Sequence, residues 1–156
     1  MRLSINLKVP NTANIIDGLS TVINNTGQQA TQLVANTAID KAPRHFGTLK
    51  RSIYPQVNAT VGKFTGKVIQ DATVAPYGKY VEQGTGIYGP YGSPIVPVTK
   101  PFLAWKDYGG GWHRAKSVKG QKAQPFMEPA ISENQDNIKQ MFNVNITQFL
   151  NGLGSD

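Results

Sequence analysis

Cysteine is absent from the 156 residues. That excludes a disulfide scaffold, thiolate zinc sites and a cysteine nucleophile. Histidine is scarce: His45 and His113 are the only two. Neither has a second ligand at metal-binding spacing, so both read as solvated loop residues. No apolar run reaches the roughly 18–20 residues of a membrane span. Met1-Arg2-Leu3-Ser4 leads into alternation instead of an apolar block, which reads against a signal peptide. Carboxylates are few, and Glu82 is the only one between Asp71 and Asp107. No general acid/base pair is signalled, and Glu82 reads as a structural carboxylate bonding a Lys, a Tyr or a backbone amide. Gly109–Gly111 lacks the Lys-Ser/Thr and following helix of a phosphate loop, so a turn explains it. The expectation is a non-enzyme with no cofactor, no metal and no membrane partner.

What the chain has in excess is positive charge, unevenly placed. The net charge is +7. Residues 1–40 sum to zero, residues 41–122 carry thirteen Lys/Arg against Asp71, Glu82 and Asp107, and residues 123–156 sum to −3. The middle therefore faces polyanions or acidic protein surfaces, or is a solvated basic sheet face. Lys41, Arg44, Lys50, Arg51, Arg114, Lys116, Lys119 and Lys122 are its candidate basic surface. The length fits one domain, and residues 1–156 are read as such.

Leu3, Ile5, Leu7 and Val9 alternate with polar residues, a strand stopped by Pro10. Asn11 or Thr12 can cap a helix starting there. Ile15, Ile16, Leu19, Val22, Ile23, Ala30, Leu33 and Val34 fall on one helical stripe. The stripe predicts a single helix over about 14–41, roughly 42 Å long, ending before Ala42-Pro43. From Leu49 the signals change to strands and turns. Leu49–Val57 and Thr65–Asp71 read as strands joined around Gly62, and Pro76–Gln83 as a short helix. Lys100–Lys106 and Trp112–Val118 read as a hairpin around residues 107–111, and Gly120–Gln124 as extended. A second long helix begins near Glu128 or Pro129, with Ile131, Ile138, Phe142, Ile146, Phe149 and Leu150 as its stripe. The predicted class is α+β, with an antiparallel sheet, two long amphipathic helices on one face and a long Gly/Pro-rich loop.

That loop is Gly84–Thr99. It holds four Gly, three Pro and no charge. Its Ile87, Tyr88, Tyr91, Ile95, Val96 and Val98 would expose a sizeable apolar surface. The loop reads as an assembly interface, mobile until a neighbour orders it, or as a cover folded back over its own sheet edge. Tyr77, Tyr80, Tyr88 and Tyr91 beside the basic segment allow base stacking, or plain aromatic packing.

Three stretches stand in a recognisable order before the second long helix. They are Ala42-Pro43 with Gly47-Thr48-Leu49-Lys50-Arg51-Ser52-Ile53, then Pro76-Tyr77-Gly78-Lys79-Tyr80-Val81-Glu82-Gln83-Gly84-Thr85-Gly86, then Gln124-Pro125-Phe126-Met127-Glu128-Pro129-Ala130. This order resembles the tail-component family of long-tailed phages typified by phage Hong Kong 97, over roughly residues 5–150. Gly78 stands where that family usually has Ala. In the local reading, Pro43 and Gly47 turn the chain out of the first helix. Tyr77, Tyr80, Glu82 and Gly84 form and end a short helix. Pro125, Phe126 and Pro129 set the entry to the second long one.

The resemblance implies a tail-completion or head–tail joining protein of the phage neck. Its partners would be copies of itself, in a ring of six, and head-completion or connector, tail-terminator or tail-tube proteins. Genomic DNA in the channel would be a weak partner. Location would be the virion, and the host cytoplasm during assembly. A tail terminator capping the tube is the alternative in the same class, and a small basic nucleic-acid-binding module the alternative in another.

Overall fold

The computed structural model describes residues 12–44, 47–60, 63–107 and 109–154. The strand expected at residues 3–9, the Asn11 cap, His45 and the Gly62 turn lie outside the described residues. The elements, numbered in chain order, are α1 (Thr12–Lys41), α2 (Thr48–Arg51), β1 (Ile53–Thr60), β2 (Lys63–Gln70) and α3 (Gly78–Gln83). A short 3₁₀ turn at Gly86–Tyr88 comes next, then β3 (Leu103–Lys106), β4 (Trp112–Ala115) and α4 (Met127–Leu153). The class is α+β, as the sequence predicts. The strands, however, form two separate two-stranded sheets, β1–β2 and β3–β4.

The chain forms two compact units and passes between them four times, at 36/37, 53/54, 69/70 and 130/131. The first unit takes in Met1–Asn36, Tyr54–Ile69 and Ile131–Asp156. Within it, one face of β2 meets both long helices. Phe64, Gly66 and Val68 alternate onto that face. They line an apolar cavity of about 300 Å³ together with Ala30 and Val34 of α1 and Ile138 and Phe142 of α4.

Two glycines of α1 act as notches for aromatic rings. A Cβ on Gly18 would strike the Phe149 ring at 2.6 Å, and one on Gly27 would overlap the Phe64 ring. Gly in a helix costs up to about 1 kcal/mol, so these positions trade helix propensity for close packing. The one long helix therefore survives Gly27, as its stripe implies. A polar contact fixes how the helices meet: Asn145 Nδ2 donates to Thr26 Oγ1 at 2.8 Å. Thr26 is buried, as is Thr31, whose hydroxyl donates to the Gly27 carbonyl at 2.7 Å. The apolar stripe is narrower than the sequence suggests. Ile16, Ile131 and Leu150 are exposed, and the buried positions of α1 are Gly27, Ala30, Val34, Ala35 and Ala38 with the two threonines.

The second unit takes in Thr37–Ile53 and Gln70–Ala130. Its core is Ala38, Ala42, Leu49, Ile53, Ala75, Phe126 and Ala130. Leu49 corrects the sequence reading, which starts a strand there. Gly47, at φ +71°, turns the chain into one helical turn instead, closed by Arg51 N donating to Gly47 O at 3.1 Å and Ser52 N to Thr48 O at 3.1 Å. That turn drives Leu49 inward, and β1 starts at Ile53.

Gln70 ties the segments around it. Its Nε2 lies 2.9 Å from both Asp71 O and Ala75 O and 3.2 Å from Ser52 Oγ. The same carboxamide leaves no room for a side chain at position 78. Gly78 is buried, and a Cβ there would run into the Gln70 carboxamide.

Gly27→Ala should displace the Phe64 ring and cost about 1–3 kcal/mol, the range for overpacking. A urea unfolding curve with a lowered midpoint and unchanged slope checks it; an unchanged midpoint would show that Phe64 yields freely.

Candidate assembly interface

Glu82 is where the second unit is pinned. Helix α4 starts at Met127, so the four amides left without intrahelical acceptors are those of residues 126–129. Pro129 has no amide hydrogen. The other three donate to one carboxylate: Phe126 N and Met127 N to Glu82 Oε2 at 2.8 and 3.1 Å, and Glu128 N to Glu82 Oε1 at 3.1 Å. The anion also sits at the positive end of the helix dipole. Phe126, 1% exposed, is held in the core directly beneath. Glu82 is thus the structural carboxylate that the sequence suggests, with backbone amides as its partners. α3 presents it, and Gly84, at φ +74°, ends α3 as expected.

The Gly84–Thr99 segment is not a free loop in its backbone. Thr85 N donates to Gln121 O and Ile87 N to Lys119 O, each at 2.8 Å. Ile95 and Val118 exchange bonds of 2.9 and 3.0 Å. The approach of the two strands of chain is close enough to require glycine on both. Gly86 and Gly120 have φ of +63° and +89°, and a Cβ on either would overlap the other segment's backbone.

The side chains nonetheless point outward. Tyr91 is 93% exposed, Val98 96% and Val96 58%, while Ile87, Tyr88 and Ile95 are near two-fifths exposed. Backbone order and side-chain exposure therefore coexist, which neither sequence alternative anticipates.

Tyr80 borders two clefts. One of about 550 Å³ is lined by Pro43, Arg44, Leu49, Tyr77, Val81 and Gln124. The other, about 400 Å³, lies against Lys79, Gln83, Pro90, Tyr91 and Ile95. The motif residues Pro43, Tyr77 and Tyr80 thus gather at one cleft, while Pro125 and Pro129 flank Phe126 at the α4 entry.

All eight candidate basic residues belong to this unit, which carries eleven Lys/Arg against five Asp/Glu. Lys41, Arg44, Arg51, Arg114, Lys116, Lys119 and Lys122 are exposed. Lys50 is half-buried, its Nζ donating to Asp40 O at 3.2 Å in the last turn of α1, where a cation suits the helix end. Lys63 and Lys67, counted in the basic middle of the sequence, fall in the first unit.

The sequence reading misses the β3–β4 hairpin as a surface. Its strands are shorter than expected, Val118 pairing with Ile95 instead, and Phe102, Trp105 and Trp112 are exposed. The available signal is that Ala104-Trp105-Lys106 and Trp112-His113-Arg114 leave neither hairpin face wholly apolar. Asp107 closes the turn. Its carboxylate lies 2.6 Å from His113 Nε2 and accepts Gly111 N at 2.8 Å. The His113 contact first, then the Gly111 amide, holds the Asp107 carboxyl below the ordinary carboxylate range. Asp71 is lowered in the same direction by the Thr73 hydroxyl and then its amide.

Among the described residues no group of three His, Asp or Glu could hold a metal ion, and no helix is long and apolar enough to cross a membrane. No protein-family model, curated protein or solved structure matches the chain.

Glu82→Ala leaves three amides without their acceptor and should cost about 1–3 kcal/mol, with Glu82→Gln less damaging. Urea midpoints of the two variants check the order; equal midpoints for both and the parent would remove the cap from the account. For Asp107, a depressed folded pKa means a contribution present above the ordinary aspartate pKa and lost as pH falls through the lowered one. A carboxyl-carbon NMR titration should show the Asp107 midpoint rising toward the ordinary value in His113→Ala, and no rise would assign the shift to the turn amides alone.

Proposed function

We infer that this chain is a virion structural protein of the phage neck, completing the tail or joining it to the head through ring-forming subunit contacts. The observation that carries the reading is the ordered, outward-facing apolar segment. Tyr91, Val96 and Val98 stand in water on a backbone tied to residues 118–121. A patch of this kind is the mark of a protein–protein contact, and its pre-ordered backbone lowers the entropy lost on docking.

The motif order over residues 42–53, 76–86 and 124–130 supports the same reading, with Glu82 of the second stretch capping the helix that the third begins. Partners on this reading are copies of the chain, in a six-fold ring, and head-completion or connector, tail-terminator or tail-tube proteins. The site of action is the virion, reached from the host cytoplasm during assembly. No catalytic step is assigned to the chain.

Deleting the gene from the phage should give filled heads and finished tails that do not join. Tyr91→Ser with Val98→Ser should reproduce this while leaving the free protein's Tm within about 2 °C, since fully exposed side chains contribute little to stability. Normal infectious particles from the deletion strain would overturn the assignment. A large Tm loss in the double variant, with assembly intact, would make the segment a cover instead of an interface.

A further inference from the structure

The β3–β4 ribbon carries a surface that the neck reading does not use. Strand register pairs Ala104 with Arg114 and Lys106 with Trp112. Alternation puts Ala104, Lys106, Trp112 and Arg114 on one face, continued by Phe102 just before β3. On that face the cations sit over rings. Arg114 lies 4.8 Å from the Phe102 ring centre and Lys106 5.3 Å from that of Trp112. The rings remain accessible, Trp112 at 69%. Phe102 and the Lys106–Trp112 pair are four residues apart along the strand, about 13 Å at 3.3 Å per residue, with Arg114 between.

The opposite face holds Trp105 and His113, stacked with ring centres 5.5 Å apart. Asp107 comes next in that alternation, its carboxylate engaged by His113 and Gly111. The cationic face therefore has no carboxylate of its own.

We propose that this face of the ribbon binds single-stranded nucleic acid, with Trp112 and Phe102 stacking on bases and Lys106 and Arg114 holding phosphates. An acidic polypeptide would be served by the ammonium and guanidinium groups alone. Exposed rings alternating with cations suit a ligand that itself alternates flat bases and phosphates. In a duplex the bases are already stacked on each other, so the rings gain nothing there. Both ribbon faces are in solvent, so the ligand displaces no core. The excess of eleven Lys/Arg over five Asp/Glu in this unit attracts any polyanion to the ribbon.

The test uses the purified full chain and a fluorescein-labelled oligothymidylate of about 15 nucleotides. Anisotropy is measured between about 50 and 200 mM salt. A duplex of equal length and polyglutamate serve as the other arms. Binding with tryptophan quenching, tighter than to the duplex and resisting polyglutamate, is expected. Trp112→Ala should weaken it about tenfold, while Trp112→Phe restores most of it. Lys106→Gln with Arg114→Gln should reduce the salt slope by about 1.4, or 0.7 for each phosphate lost. Lys139→Gln should change neither.

No binding near 50 mM salt, a duplex bound as tightly, displacement by polyglutamate at equal charge, or full affinity in Trp112→Ala would each overturn the proposal. The Trp112→Phe and double-Gln variants keep the test decisive if Trp112→Ala disturbs the hairpin. The neck reading is tested in virions, so the failure of either leaves the other standing.

Discussion

One carboxylate organises the second unit. A helix start is a demand for acceptors, and burying it without them costs about 1–3 kcal/mol per group. Met127 begins α4 beside the buried Phe126, where water is excluded from the core side. Glu82 answers three donors and Pro129 removes the fourth. Because Glu82 belongs to α3, the cap also fixes α3 against the α4 entry. Gln124 N then donates to Val81 O at 2.8 Å, one residue from the cap, and extends that pairing along the chain. The Tyr-rich segment and the Pro-Phe-Met-Glu-Pro step, some forty residues apart in sequence, are thus one device.

From this anchor the chain is pulled into a second constraint. Residues 118–121 run back toward α4 and carry Thr85, Ile87 and Ile95 with them through backbone bonds. The contact at Gly86 and Gly120 leaves no room for a side chain between the segments. Tyr91, Val96 and Val98 of the Gly84–Thr99 segment are exposed.

Much of this is legible where a single period dominates. The 3.6-residue stripe places α1 and α4 to within a few residues, because a long amphipathic pattern overrides local doubt at Gly27. The turn at 107–111 is legible because consecutive glycines after Asp107 permit little else. Leu49 is misread for a physical reason. Thr48-Leu49-Lys50-Arg51 is compatible with strand or helix, and the left-handed Gly47 decides it, through a backbone angle that composition does not display. The division of strands into two ribbons is not legible either, since pairing partners are a tertiary choice. The role of Glu82 is half visible. Its isolation from other carboxylates argues for a structural part, but the amides it accepts from lie more than forty residues away.

The two units spend their residues differently. The first sinks the Phe64 and Phe149 rings into glycine notches and buries Thr26 and Thr31, while Ile16, Tyr54, Val57, Ile131, Val144 and Leu150 stay exposed. The second packs mainly small residues around Leu49 and Phe126 and leaves its larger aromatics outside. An exposed aromatic surface on a neutral protein invites indiscriminate association. Here the exposed rings of Tyr80, Tyr88, Phe102 and Trp112 each have a Lys or Arg set over them. A cation over a ring keeps charge and bound water beside the apolar surface, and like charges on another copy repel at long range. Among the described residues, no Lys or Arg is set over the Tyr91 ring. The unit therefore carries two kinds of exposed surface, one with cations set over its rings and one apolar without them among the described residues.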